Sequence, residues 1–373
     1  MKNTLISVCI FFSSTLYISV ANNITNLLKT EDQYINDLDK PKNIILMIGD
    51  GMGLGQISAA MYANQDSLYM QMIRHIGLIK TNSASSIITD SAAGATAFST
   101  GEKTYNGAIN MDIYKKPLTP ITYTLNKNNM KNGIVTTSSV THATPACFYG
   151  NQLNRYGVDE ALAKQFVKSD VEVLIGGGED FFNNRTDQVD LIDTLKKKGY
   201  EIIDSIIDPI YTTTEKLINF CAPKEPASRE NGRGEFLPLA THTAISVLNT
   251  NNNNGFFLMI EGAQIDWGGH DNNSNYIISE TLDFDQSVEV AIEFAKKDKN
   301  TLVLVTADHE TGGYGITGKK KDSDELITDF LNEDHTATMV PIFAFGPGAN
   351  NFTGIYHNHI LYYKILNVLR LEN

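Results

Sequence analysis

The 373-residue sequence is poor in cysteine and tryptophan, with three of the former and one of the latter. It has no Cys-x-x-Cys pair, which excludes the common zinc sites built from cysteine. Cys9 lies in an N-terminal apolar segment. Cys147 and Cys221 are far apart in sequence, and both a disulfide and two free thiols remain open for them.

The sequence also has no excess of positive charge. Beyond residue 20 it has no apolar run long enough to span a bilayer. The formal net charge is -13, which argues against a general nucleic-acid reader but suits carboxylates that hold divalent cations. Three enzyme fingerprints are missing as well. The sequence lacks the dinucleotide-binding G-x-G-x-x-G at residues 49–53, the G-x-S-x-G elbow around Ser91 and the zincin H-E-x-x-H at His309.

The N-terminus has the pattern of an export signal. Lys2 precedes an uncharged segment that runs from Leu5 to Val20, and a small-x-small cleavage pattern ends at Ala21. We therefore expect an exported protein, periplasmic or secreted, although an uncleaved membrane anchor is the alternative. The predicted divisions are a signal peptide at 1–21, a polar leader at 22–40 and a single domain at 41–373.

Short apolar runs bounded by turn residues alternate with helix-like stretches, which predicts an α/β layered fold. Residues 279–297 form the clearest predicted helix, with acidic residues early and lysines late. The runs predicted as buried parallel strands are 42–48, 134–137, 171–175, 256–260, 301–306 and 340–345.

Several of these runs end in acidic and histidine residues, and ligands of open α/β sheets collect at the carboxyl ends of strands. Asp50 follows the first run, and Asp308 and His309 follow the fifth. A buried acid there is costly unless a cation compensates it, so a metal ligand is one interpretation and a simple turn is the other. Asp266 and His270, four residues apart, form a good zinc pair.

Two further segments contain groups suited to phosphate chemistry. Ser91 begins a stretch of small residues, and a serine in a first helical turn faces the positive helix end; an ordinary N-cap is the alternative. His142 and Thr144 are two apart, so in an extended chain they would face the same side. Arg155 can fork onto two phosphate oxygens, or it is a surface arginine.

Together and in this order, these segments closely resemble the alkaline phosphatase family from about residue 41 to the C-terminus. The resemblance is to the compact bacterial branch that carries His142 and Trp267 near the active site. It implies an α/β sandwich with a mostly parallel central sheet and helices on both faces, usually as a homodimer. The segments that carry it are residues 49–51, 89–92, 141–145, 261–270 and 306–310.

The resemblance also implies hydrolysis of small-molecule phosphate monoesters through a phosphoserine at Ser91, with Arg155 clamping the phosphate. Two zinc ions and one magnesium ion are expected. The implied ligands are Asp266, His270 and His335 for the first zinc, Asp50, Asp308 and His309 with Ser91 for the second, and Asp50, Thr144 and Glu261 for magnesium.

This chain departs from some family members at two places. His142 and Trp267 stand where those members have an aspartate and a lysine, which implies weaker magnesium binding and one positive contact fewer near the phosphate. A phosphodiesterase or sulfatase of the same superfamily is the nearest rival, although Ser91 is not in a C-x-P-x-R-like setting. A phosphate-binding protein without catalysis is a rival of another class.

Overall fold

The computed structural model describes residues 40–206, 213–323 and 325–372. The predicted signal peptide and all of the predicted leader except Lys40 lie outside these residues. The strands are β1 Asn43–Gly49, β2 His75–Lys80, β3 Lys131–Ser139, β4 Val173–Gly177, β5 Glu201–Ile203, β6 Leu217–Ala222, β7 Phe256–Gly262, β8 Thr301–Thr306, β9 Glu310–Thr311, β10 Gly315–Lys319, β11 Leu326–Asp329, β12 His335–Thr336, β13 Val340–Phe345 and β14 Gly354–His357.

Helices follow half of these strands. Their bounds are α1 Leu54–Ala63, α2 Ser91–Thr100, α3 Ile121–Lys127, α4 Ala143–Ala146, α5 Asp159–Phe166, α6 Asp180–Asn183, α7 Ile192–Lys197, α8 Phe236–Asn249, α9 Gln264–His270, α10 Ser274–Asp298 and α11 Ile360–Val368. The helix predicted at 279–297 is therefore α10. The side chain of Asn273 caps its start by accepting a hydrogen bond from the backbone of Tyr276.

Within the described residues, ten strands form one central sheet in the order β14-β2-β13-β8-β1-β7-β3-β4-β6-β5. Every neighbouring pair is parallel except the two pairs that β13 makes. The prediction of a mostly parallel sheet is thus confirmed, and the six predicted strands all exist.

The parallel direction expected for 340–345 is wrong, because β13 runs antiparallel to both β8 and β2. Its early residue Ile342 pairs with Thr306, the last residue of β8, so β13 starts at the edge where β8 ends. The described residues of the intervening segment form the short strands β9 to β12 and no crossover helix. A strand that re-enters the sheet from the same edge must run back.

Central strands β1, β7 and β8 are buried along their whole lengths, as expected when helices cover both faces of a sheet. One group of helices contains α1, α8 and α10, and a second contains α2, α4 and α11. Among the described residues no helix is long and apolar enough to cross a bilayer. Cys147 and Cys221 are both free thiols.

Candidate metal and phosphate site

Four adjacent strands, β8, β1, β7 and β3, present their carboxyl ends side by side at the centre of the sheet. Asp50 directly follows β1, and Asp308 follows β8 after one residue. Glu261 is the penultimate residue of β7 and pairs in register with Ile48 of β1. Because parallel strands end at one edge, residues far apart in sequence meet there.

The first group of candidate ligands joins Asp266 and His270 of α9 to His335 of β12, with ligand atoms within 4.8 Å of one another. The Nε2 atoms of the two histidines are 3.2 Å apart. The opposite ring atoms face backbone carbonyls, with His270 Nδ1 2.6 Å from the oxygen of Glu333 and His335 Nδ1 2.8 Å from that of Thr89. Such contacts orient an imidazole so that Nε2 offers its lone pair to a metal.

The second group joins Asp50, Asp308 and His309, all fully buried. His309 Nε2 lies 3.3 Å from an oxygen of Asp50 and 3.4 Å from one of Asp308. The hydroxyl oxygen of Ser91 is 3.3 Å from the same nitrogen. The structure therefore brings Ser91 to the edge of this group.

The third group consists of Asp50, His142 and Glu261, so Asp50 belongs to two groups. The sequence analysis placed Thr144 with Asp50 and Glu261 and left His142 outside the ligands, whereas the structure puts the imidazole of His142 within ligand distance. Thr144 and His142 do not lie in one extended chain as expected. Residues from Ala143 onward turn into α4, where Pro145 is tolerated because it lies in a first helical turn.

Several buried oxygens of these residues lack a hydrogen-bond donor, and this indicates whether the residues fit cations. Both carboxylate oxygens of Asp50, Oε1 of Glu261, Oδ2 of Asp308 and the hydroxyl of Thr144 have no hydrogen-bond partner. Native proteins rarely leave such atoms unpaired, and divalent cations are the partners that suit several carboxylates at once. The donor set fits metal ions.

Burial also makes these carboxylates hard to ionise in the bare protein. It raises the pKa of Asp50 well above its usual value, and the charges of Asp308 and Asp266 add to the effect. Burial likewise raises the pKa of Glu261 to about 7 and that of Asp308 to about 6. A divalent cation would reverse these shifts because it binds the ionised forms.

The first group behaves differently because imidazoles surround its carboxylate. Burial opposes ionisation of Asp266, yet a hydrogen bond from His270 and the nearby rings of His309 and His335 hold its pKa below the usual range. The same contact with Asp266 raises the pKa of His270 to about 9. His309 is the contrast, since its burial lowers its pKa and keeps a neutral ring with a free lone pair.

Ser91 is the first residue of α2, as the sequence predicted, and it is buried. All ten residues of this helix are buried, and all of them except Phe98 have small side chains. The preceding residue, Asp90, is the N-cap, and one of its carboxylate oxygens accepts the backbone N–H of Ala93. The serine hydroxyl therefore stands at the positive end of a helix.

Arg155 is held beside Ser91 by two contacts. Its Nη1 lies 3.6 Å from Asp90 and its Nη2 lies 3.2 Å from Nε2 of His142. The carboxylate oxygen of Asp90 that faces Arg155 also accepts the backbone N–H of Gly107, at 2.9 Å. Trp267 packs edge-on against His142, with ring centroids 6.3 Å apart. The surface position considered for Arg155 does not hold, since its side chain is largely buried.

The sequence analysis missed two residues that shape the site. Asp90 links Ser91 to Arg155, and its place directly before the serine was a usable signal. Thr311 donates a hydrogen bond to Asp266 and lies 3.2 Å from Nδ1 of His309, so it joins two ligand groups. Nothing in the sequence around this threonine indicates that role.

Gly51, with φ of +71°, passes close to Asp266. A Cβ at residue 51 would lie 2.8 Å from the Cα of Asp266.

A mostly parallel sheet with buried ligand groups around one serine is typical of metal-dependent enzymes that transfer or hydrolyse phosphate groups. Comparison with known proteins agrees. The family model described as alkaline phosphatase matches residues 41–329. Alkaline phosphatase 3 of Bacillus subtilis is 35% identical over 319 residues, which are 82% of this chain and 68% of that protein.

Solved structures give the same result. Alkaline phosphatase from the Antarctic bacterium TAB5 superposes with a TM-score of 0.86 at 43% identity, covering 90% of this chain and all of that one. A variant of that enzyme with one histidine replaced by glutamate has Mg bound in its M3 site. The chain belongs to the alkaline phosphatase family. It is a metal-binding enzyme that hydrolyses phosphate monoesters.

Proposed function

We propose that hydrolysis proceeds through a phosphoserine at Ser91, in a site that holds two zinc ions and one magnesium ion. The observation that carries this proposal is the convergence of three ligand groups beside one buried serine. The assigned ligands are Asp266, His270 and His335 for one zinc, Asp50, Asp308 and His309 for the other, and Asp50, Glu261, Thr144 and His142 for magnesium.

Bound zinc supplies positive charge that favours an ionised serine and a departing alcohol oxygen, and magnesium orders the shared carboxylates. Arg155 and the backbone N–H groups at the start of α2 bind the non-bridging phosphate oxygens. These groups act by positioning and charge, which are the main requirements of phosphoryl transfer.

The reaction runs in two displacements at phosphorus. Ser91 Oγ gives up its proton to water and bonds to phosphorus while the bond from phosphorus to the ester oxygen breaks, and the alcohol leaves with the proton that water received. A second water then attacks the phosphoserine, the bond to Oγ breaks, and Ser91 regains a proton as inorganic phosphate departs. Because the serine and the second water both react in ionised form, we expect a basic pH optimum.

Replacing the serine tests the covalent step. Ser91→Ala is expected to retain zinc and inorganic phosphate binding but to lose most turnover, and peptide mass analysis of the wild type should locate the added phosphoryl group on Ser91. Ser58→Ala is a matched control, because that hydroxyl is bonded only to a carbonyl within its own helix. Full activity in Ser91→Ala would exclude the phosphoserine.

Substrate comparison separates the monoesterase from its relatives in the superfamily. Turnover of p-nitrophenyl phosphate should exceed that of bis-p-nitrophenyl phosphate and p-nitrophenyl sulfate. The reason is that Arg155 and three cations together suit a doubly charged monoester best. Faster turnover of the diester or the sulfate would contradict the assignment.

Export and homodimer assembly also belong to the proposal. The N-terminal pattern of Lys2 and the apolar segment after it supports export to the periplasm or the medium. Cell fractionation and the mass of the purified protein in solution test these two points.

A further inference from the structure

Exposed apolar side chains lie on the two segments that carry Ser91 and Arg155. Ile87 and Ile88, 74% and 37% exposed, precede the serine, and Leu153 and Tyr156, 52% and 75% exposed, flank the arginine. Single exposed apolar residues are ordinary, but these four lie on two segments that are joined by the contact between Asp90 and Arg155. We call these four residues the apolar rim.

Residues 105–107 tie both halves of the rim together. The side chain of Asn106 donates to the carbonyl of Ile88 at 3.0 Å, and the hydroxyl of Tyr105 donates to the carbonyl of Leu153 at 3.1 Å. Gly107 donates to Asp90, which also contacts Arg155. The two rim segments are therefore fixed relative to the guanidinium.

The geometry of attack at phosphorus determines which part of the substrate lies near the apolar rim. Ser91 is only 2% exposed, so it attacks from the floor of the site. The leaving oxygen lies in line on the opposite side of phosphorus. The alcohol part of the substrate must then project outward past Arg155, whose Cζ lies 5.7 Å from the centre of the Tyr156 ring.

We propose that the apolar rim receives the alcohol part of the substrate, and that Tyr156 makes the enzyme favour phosphate esters of aromatic alcohols. An exposed aromatic ring offers a flat apolar surface on which a second ring can stack. This inference rests on the proposed phosphate position between Ser91 and Arg155.

The test compares kcat/KM for naphthyl phosphate and glycerol phosphate in Tyr156→Ala, Tyr156→Phe and the wild type. The difference in leaving-group reactivity enters the ratio of the two substrates in every protein, and it cancels when the ratio of a variant is compared with that of the wild type. The preference for the aryl ester should fall about threefold to tenfold in Tyr156→Ala, the size of an aromatic pair. Tyr156→Phe keeps the ring and should keep the preference. Tyr62→Ala, an exposed tyrosine on α1, is the matched control.

Inhibition by inorganic phosphate, which has no alcohol part, separates substrate contact from positioning. Its inhibition constant should be unchanged in Tyr156→Ala. An unchanged substrate ratio overturns the inference. So does an equal loss for both substrates with weaker phosphate inhibition, which would make Tyr156 a positioning residue for Arg155. Failure of the phosphoserine step would appear separately, as turnover in Ser91→Ala.

Discussion

The ring of His142 affects how well its group of candidate ligands suits magnesium. Its burial lowers its pKa to about 3, with the charge of Arg155 acting in the same direction, so the ring is neutral at working pH. A neutral nitrogen among carboxylates is a poor partner for magnesium, which prefers oxygen. The weaker magnesium binding implied by the family resemblance therefore has a physical cause in this chain.

Replacing this histidine should strengthen magnesium binding. His142→Asp adds a third carboxylate to Asp50 and Glu261, and we expect the magnesium dissociation constant of the zinc-loaded protein to fall at least about tenfold. Calorimetric titration with magnesium measures it. His142→Asn is the control, because asparagine has the shape of aspartate without its charge. Equal magnesium affinities in the two variants would show that a charge at this position does not strengthen magnesium binding.

Sequence patterns predicted which residues belong to the site better than they predicted which of them contact one another. The order of the acidic and histidine segments, read with the family resemblance, pointed to all the residues that the structure brings together in three groups. It named Thr144 and not His142 as a ligand beside Glu261, because the position of the imidazole depends on where the chain turns into α4. The contact of Thr311 with Asp266 crosses 45 residues of sequence and leaves no local pattern.

At the scale of elements, α2 depends on Asp90 twice, as its N-cap and as the anchor of Arg155. Asp90→Ala removes both contacts, and loss of an N-cap costs about 1 kcal/mol of unfolding free energy. Asp90→Asn keeps a capping oxygen but removes the charge beside the guanidinium. Denaturant unfolding should therefore show a larger loss of stability in Asp90→Ala than in Asp90→Asn, which loses only the bond from Gly107.

Both Asp90 variants should raise KM and weaken inhibition by inorganic phosphate, because Arg155 loses its carboxylate partner. Steady-state kinetics with p-nitrophenyl phosphate checks this. If Asp90→Asn left KM and phosphate inhibition at their wild-type values, the carboxylate would not be what holds the arginine in place.

Strands that are buried on both faces were predictable, and edge strands were not. β1, β7 and β8 are largely continuous apolar runs. At one edge of the sheet, β2 mixes exposed and buried positions and β14 has only exposed and half-buried ones. β6 has Asn219 at its centre, whose side chain donates to the carbonyl of Ile203, and this interrupts its apolar run. The direction of β13 depends on the path of the chain after β8, and no local sequence pattern predicts that path.

For the whole molecule, stability and metal binding should be coupled through pH. Glu261 and Asp308 have pKa values of about 7 and about 6 in the folded protein, above the 4.5 and 3.8 of ordinary glutamate and aspartate. The metal-free folded state therefore binds more protons than the unfolded chain. The stability that these two carboxyl groups contribute is present below about pH 4 and is lost as pH rises through 6 to 7, by up to roughly 3 kcal/mol for Glu261 alone.

Bound metals should reverse this trend, because they select the ionised carboxylates. Thermal unfolding of chelated and metal-loaded protein, at about pH 5 and about pH 8, measures both effects. The difference in Tm between the two forms should be larger at the higher pH. A difference that stays constant with pH would mean that these carboxylates do not hold the metals.

The central claim, that buried carboxylates and imidazoles hold cations around Ser91, is tested most directly by the metal content of the purified, dialysed protein. Elemental analysis should find about two zinc ions and one magnesium ion per chain. Asp50→Ala, which removes the residue shared by two groups, should lower both metals together. A wild-type protein that hydrolyses phosphate monoesters at full rate with no bound zinc would contradict the account.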